Sequence, residues 1–178
     1  MKKRWIYIVA YFLTVLLIFV CQKPLFMLYN DAVGKEVVFS DFMQVMWHGL
    51  SLDATTAGYL TALPLLAILI SIWFKKFPLK KLLYPYYIIA AALVSIVFVV
   101  DMGLYPFWGF KLDASIFLYL DSPKEAMASV SVGFIILRVF VMLLLSAGLA
   151  WLMAKVTPSQ LETVKHKLIN VLGCNGKI

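Results

Sequence analysis

Apolar residues fall along this chain in four long blocks, roughly Trp5–Cys21 with a continuation to Leu28, then Ala54–Phe74, Leu82–Val100 and Val130–Ala154. Each approaches or exceeds the length of about 20 residues that a helix needs to cross a hydrocarbon core. The pattern predicts an all-α fold: a polytopic membrane bundle of four transmembrane helices over residues 1–154 (spans about 5–28, 54–74, 82–100 and 130–154). A cytoplasmic tail, 155–178, follows. In that tail Leu161, Val164, Leu168, Val171 and Leu172 recur at helical spacing beside Lys165 and Lys167, which predicts a short amphipathic helix resting on the membrane surface.

The polar residues between the blocks alternate in sign. Lys2, Lys3 and Arg4 precede the first block, Lys75, Lys76, Lys80 and Lys81 separate the second from the third, and Lys155, Lys165 and Lys167 follow the fourth. The other two loops each set two lysines against four carboxylates: Lys23 and Lys35 against Asp31, Glu36, Asp41 and Asp53, then Lys111 and Lys124 against Asp101, Asp113, Asp121 and Glu125. Because Lys and Arg near span ends favour the cytoplasmic side, both termini are expected inside, and the two acidic loops outside. The tryptophans near span ends fit headgroup-level anchoring. Pro64 within the second block and Pro24 near the end of the first are expected to kink or end a helix.

One phrase occurs twice. "HGLSLDATTAGYL" starts at His48 and "WGFKLDASIFLYL" at Trp108, pairing Gly49 with Gly109 and Asp53 with Asp113. Each aspartate precedes a helical-looking run, so each is expected to cap a helix N-terminus, while the glycines let the chain turn on arrival. After Asp113 the run "ASIFLYL" stops at Asp121-Ser122-Pro123, too short to cross, and is expected to be an external interfacial or re-entrant helix. Asp53, Asp113 and Trp108 are therefore candidates for structural capping or substrate access. Reading the two aspartates as a catalytic pair requires a separation and acidity for which capping has no need.

Composition agrees with the pattern: 63% hydrophobic, 14% charged, mean hydropathy +0.94. A formal charge of +7 would suggest nucleic acid in a soluble chain, but here the basic residues flank apolar blocks, so a lipid bilayer is the expected partner. Phe19 and Val20 stand where signal cleavage wants small residues, which predicts a retained anchor. Cys21 and Cys174 have no metal-ligand spacing, and His48 and His166 fall on opposite sides of the expected membrane. No catalytic residue, metal ligand or cofactor site is expected in this chain. Arg138, well inside the fourth block, is costly enough to need an explanation: an intramembrane ion pair with Asp101, snorkelling to the headgroups, or a substrate phosphate.

The segments "MWHGLSLDATTAGYLTALP" and "DMGLYPFWGFKLDASIFLYLDSPKEAMASVS", about His48 to Ser131, resemble the N-terminal transmembrane region of lipoteichoic acid synthase-like proteins, the sulfatase-family phosphoglycerol transferases of the Bacteroidetes type. The resemblance implies a bacterial inner-membrane anchor for an extracytoplasmic alkaline-phosphatase-like domain with a Thr nucleophile and a divalent metal. It also implies five spans; the sequence to Ile178 supplies four and none of the catalytic residues, so a truncated, inert module with a sulfatase-like domain or partner chain elsewhere is the leading expectation. A free-standing scaffold or small transporter is the alternative.

Overall fold

The computed structural model describes residues 2–30, 38–71, 76–109, 131–159 and 161–162. They form five helices: α1 (Lys2–Asn30), α2 (Phe39–His48), α3 (Leu50–Ile70), α4 (Leu79–Trp108) and α5 (Val132–Val156). Four of these, all but α2, are long and apolar enough to span a membrane. The expected external helix after Asp113, Asp113 itself, and most of the tail lie outside the described residues. Leu161, expected on a helical face, pairs instead with Phe77: β1 (Lys76–Phe77) and β2 (Leu161–Glu162) make a two-residue antiparallel bridge.

The boundaries differ from the sequence reading in instructive ways. Pro24 does not end α1, which continues to Asn30. α4 carries Pro85 and Pro106 inside it, starts three residues before the expected Leu82 and runs well past the expected end at Val100. α2 was not foreseen, although Phe39, Phe42, Met43, Met46 and Trp47 recur at the spacing of one helical face. Its start is fixed by Asp41, whose carboxylate accepts the Val38 N–H at 3.1 Å. None of its residues is buried and Trp47 is 75% exposed, as for a helix lying at an interface.

Interior and exterior are inverted relative to a water-soluble bundle. The buried positions are rich in small and hydroxyl-bearing residues: Ala57 and Thr61 on α3, Ala90, Ala91 and Ser95 on α4, Ala150 and Ala154 on α5. Leucine, isoleucine and valine populate the outside, as Leu13, Leu17, Leu66, Ile89, Leu93, Leu143 and Leu144 do. Water would penalise that surface, whereas lipid does not, and small interior residues let helix backbones approach closely. The surroundings this surface fits are a lipid bilayer.

Contacts at the helix ends fix the directions. Arg4 reaches the Ser71 carbonyl and Lys23 reaches Asp53, so α1 and α3 are antiparallel. Tyr7 meets Tyr87 and Phe26 meets Tyr105, so α1 and α4 are parallel. Tyr87 meets Thr157, just past the end of α5, so α4 and α5 are antiparallel. α4 packs most extensively on α5 and α1 on α3, while α3 and α4 touch little. The bundle thus has one end that gathers Arg4, Lys80, Lys81 and Lys155, here the basic end, and an opposite, mixed-charge end with Lys23, Asp53, Asp101 and Arg138.

Proline in α3 shows how the interior is satisfied. Pro64 has no N–H, which frees the carbonyl four residues earlier, and Tyr86 Oη donates to that Leu60 carbonyl at 2.7 Å. Thr14, Thr55, Thr56 and Thr61 donate to carbonyls of their own helices, so their hydroxyls need no outside partner.

Candidate functional site

At the mixed-charge end, where α3 and α4 separate, a groove of about 520 Å³ opens between α1, α3 and α4. Its walls are apolar, including Phe19, Val94, Val97 and Phe98, and its polar groups are Gln22, Lys23, Asp53, Thr56, Tyr59 and Asp101. The central feature is an ion pair: Lys23 Nζ donates to Asp53 Oδ2 at 2.5 Å, with side chains only 16% and 8% exposed. Lys23 sits about 28 Å along α1 from Arg4, near the far boundary of a hydrocarbon core. An unpaired charge at that depth is costly, which is the physical reason for the partner.

The residues that build the pair also explain the glycine. Gly49 joins α2 to α3 with ordinary right-handed helical angles (φ −84°, ψ −5°), so no turn demands glycine there. A Cβ at that position would meet the end of the Lys23 side chain, so any larger residue must displace the ammonium from its place beside Asp53. Gly109 does carry the left-handed conformation (φ 72°), closing the C-terminus of α4. The two copies of the repeated phrase therefore meet opposite helix termini.

Asp53 is not the N-cap it was expected to be. α3 starts at Leu50, the Asp53 N–H already bonds the Gly49 carbonyl at 3.1 Å, and the carboxylate serves Lys23 instead of backbone N–H groups. It is buried, at 7% exposure, and still lies in the first turn, where the helix dipole favours negative charge. Trp108 is the last residue of α4; Asp113 lies outside the described residues.

Of the explanations open for Arg138, the ion pair with Asp101 is not the contact found. Arg138 donates to the Tyr29 hydroxyl, and its guanidinium lies 4.8 Å from the Tyr29 ring centre and 4.7 Å from that of Phe134. No ion pair joins it to Asp101 among the described residues. The reason is local: Phe134 lies one helical turn before Arg138, and the end of α1 brings Tyr29 over it, offering two π faces to a planar cation. Asp101 lines the groove.

Lys23 is the functional candidate that sequence reasoning missed. Ending the first span at Cys21 places Lys23 in a loop; carrying it to Leu28 places a charge inside the span and makes it a site hypothesis by default. Gln22 adds a further signal, since its buried amide nitrogen has no hydrogen-bond partner among the described residues. Chemically the arrangement offers donors from Lys23 and Gln22 and acceptors from Asp53 and Asp101, which suits a ligand bearing both a phosphate and hydroxyls. Among the described residues there is no cluster of metal-ligating side chains.

No protein-family model, curated protein or solved structure matches the chain. The functional reading therefore rests on the groove and on the residues themselves.

Proposed function

We propose that this chain is the membrane module of an extracytoplasmic phosphoglycerol transferase, or phosphate or sulfate ester hydrolase, of the sulfatase type. The basic end faces the cytoplasm of a bacterial inner membrane and the mixed-charge end faces outward. The module anchors a catalytic domain, which brings its own divalent metal, and the groove presents the headgroup of a membrane lipid to it. Alone it is inert.

The observation that carries this reading is the buried Lys23–Asp53 pair in a groove whose walls are apolar. Lipid chains fit the walls, and a phosphoglycerol headgroup fits the polar floor: its phosphodiester accepts from Lys23 and Gln22, and its hydroxyls donate to the carboxylates. The resemblance of the His48–Ser131 segments to lipoteichoic acid synthase-like proteins points the same way.

The test is the size of the native polypeptide in source-cell membranes, read by immunoblot with an antibody to the loop around Lys35. A band far above 20.2 kDa, or a sulfatase-type hydrolase that co-purifies with a smaller one, is the expected result. A band at 20.2 kDa with no such partner overturns the reading in favour of a free-standing membrane protein.

A further inference from the structure

A second cavity, of about 530 Å³, lies between α4 and α5 at the basic end, far from the Lys23–Asp53 groove. Two lysines frame it, Lys80 from the start of α4 and Lys155 from the end of α5, and among the described residues no carboxylate lines it. Trp151 and Tyr84 stand at its rim, 59% and 50% exposed, and Lys155 Nζ lies 4.6 Å from the Trp151 ring centre. Ala150 and Ala154, both buried, keep the floor low, and the apolar wall continues along both helices through Ile88 and Leu143.

We propose that this cavity is a binding site for an anionic phospholipid of the leaflet at the basic end. Its phosphate sits between Lys80 and Lys155, and an acyl chain runs over the small-residue floor. Three features select that occupant. Two ammonium groups without a lining carboxylate require net negative charge, and a zwitterionic headgroup would bring a further amine beside them. The tryptophan and tyrosine at the rim place the opening at headgroup level, where their amphipathic rings are favoured. A soluble anion would use the lysines and leave the apolar floor bare, whereas a lipid covers both. Basic pockets between transmembrane helices are a recognised form of anionic-headgroup site.

The test uses the full chain in zwitterionic detergent micelles, titrated with phosphatidylglycerol or phosphatidylcholine, with bound lipid counted by native mass spectrometry. Wild type is expected to retain phosphatidylglycerol at least tenfold better than phosphatidylcholine. Lys80→Gln with Lys155→Gln is expected to erase that preference, and Lys80→Arg to keep it. Lys81→Gln, one residue away and outside the cavity, serves as the charge control and is expected to lose less than twofold. Ala147→Phe, which narrows the cavity from its exposed side and leaves both lysines, is expected to weaken retention of either lipid about tenfold; thermal unfolding of each variant separates a lost site from a lost fold. Equal retention of the two lipids, an unchanged preference in the double variant, or an equal loss in Lys81→Gln overturns the site. A dimer that forms through this face and excludes lipid would assign the cavity to a second copy and likewise overturn it.

Discussion

The two ends of the bundle solve the problem of polar groups in an apolar surrounding by different means. At the basic end the buried partners are neutral. Thr157 Oγ1 donates to the Met153 carbonyl at 2.9 Å, which leaves it to accept from Tyr87 at 2.7 Å, and Tyr87 accepts in turn from Tyr7 at 2.8 Å. The directions follow because each hydroxyl has one proton. Tyr11 stacks 5.6 Å from Tyr87 and the rings close the space. The cations are at the rim, apart from buried Arg4, which donates to the Ser71 carbonyl at the C-terminus of α3, where the helix dipole favours positive charge. At the mixed-charge end α3 and α4 part, and beside the opening opposite charges meet between α1 and α3. Neutral hydroxyl chains tie helices together at little electrostatic risk. A buried ion pair holds its partners strongly hostage to one another, and can be remodelled by anything that competes for either.

That difference has its largest consequence at Asp53. Asp53→Leu leaves the Lys23 ammonium buried and unpaired, and is expected to destabilise the bundle by about 3–5 kcal/mol, the range for breaking a buried pair by removing one partner. Adding Lys23→Met removes the stranded charge, and the double variant is expected to return to within about 1 kcal/mol of wild type. Reversible denaturation in mixed micelles measures both, and the cycle isolates the coupling. If the two single changes simply add, the pair is not coupled and the contrast between the ends fails.

The basic end should respond less. Tyr87→Phe keeps the ring stack but removes the acceptor for Tyr7 and the donor to Thr157. Interhelical hydrogen bonds in membranes average about 0.6 kcal/mol and reach about 1.7, so a loss of about 1–2 kcal/mol is expected in the same denaturation assay. A loss equal to that of Asp53→Leu would mean that the hydroxyl chain is as consequential as the ion pair.

How much of this was legible in the sequence follows from the range of the interactions. The four spans are readable because membrane crossing is a local property of some 20 consecutive residues. α2 was readable in principle, from its aromatic and methionine spacing, but its acidic loop context masked it. Lys23 and Asp53 are 30 positions apart, and both sit where charge or proline imitates a span end. Their meeting depends on the register of α1 against α3, which no local pattern encodes. Arg138 illustrates the same limit: the need for a partner was readable from one charge inside a span, while the partner's identity, Tyr29 instead of Asp101, is a matter of packing. The capping role expected of Asp53 failed because α3 starts a turn earlier, continuous with α2 through Gly49.

The smallest effect tests whether the two ends communicate. Tyr86 neighbours Tyr87 of the hydroxyl chain, its ring 5.9 Å away, and its hydroxyl bonds the Leu60 carbonyl, whose residue lines the groove at the other end. Tyr86→Phe is expected to cost about 0.6 kcal/mol, because it strands a carbonyl that Pro64 cannot satisfy. In a Pro64→Ala background the restored N–H at position 64 supplies that carbonyl with a helical partner, so removing the Tyr86 hydroxyl should then cost less. A measurable positive coupling makes the Pro64 gap and the Tyr86 hydroxyl one joint between the tyrosine cluster and the groove. Equal costs in both backgrounds would mean that the carbonyl finds another donor when Tyr86 is gone, and that the two ends stand as separate units.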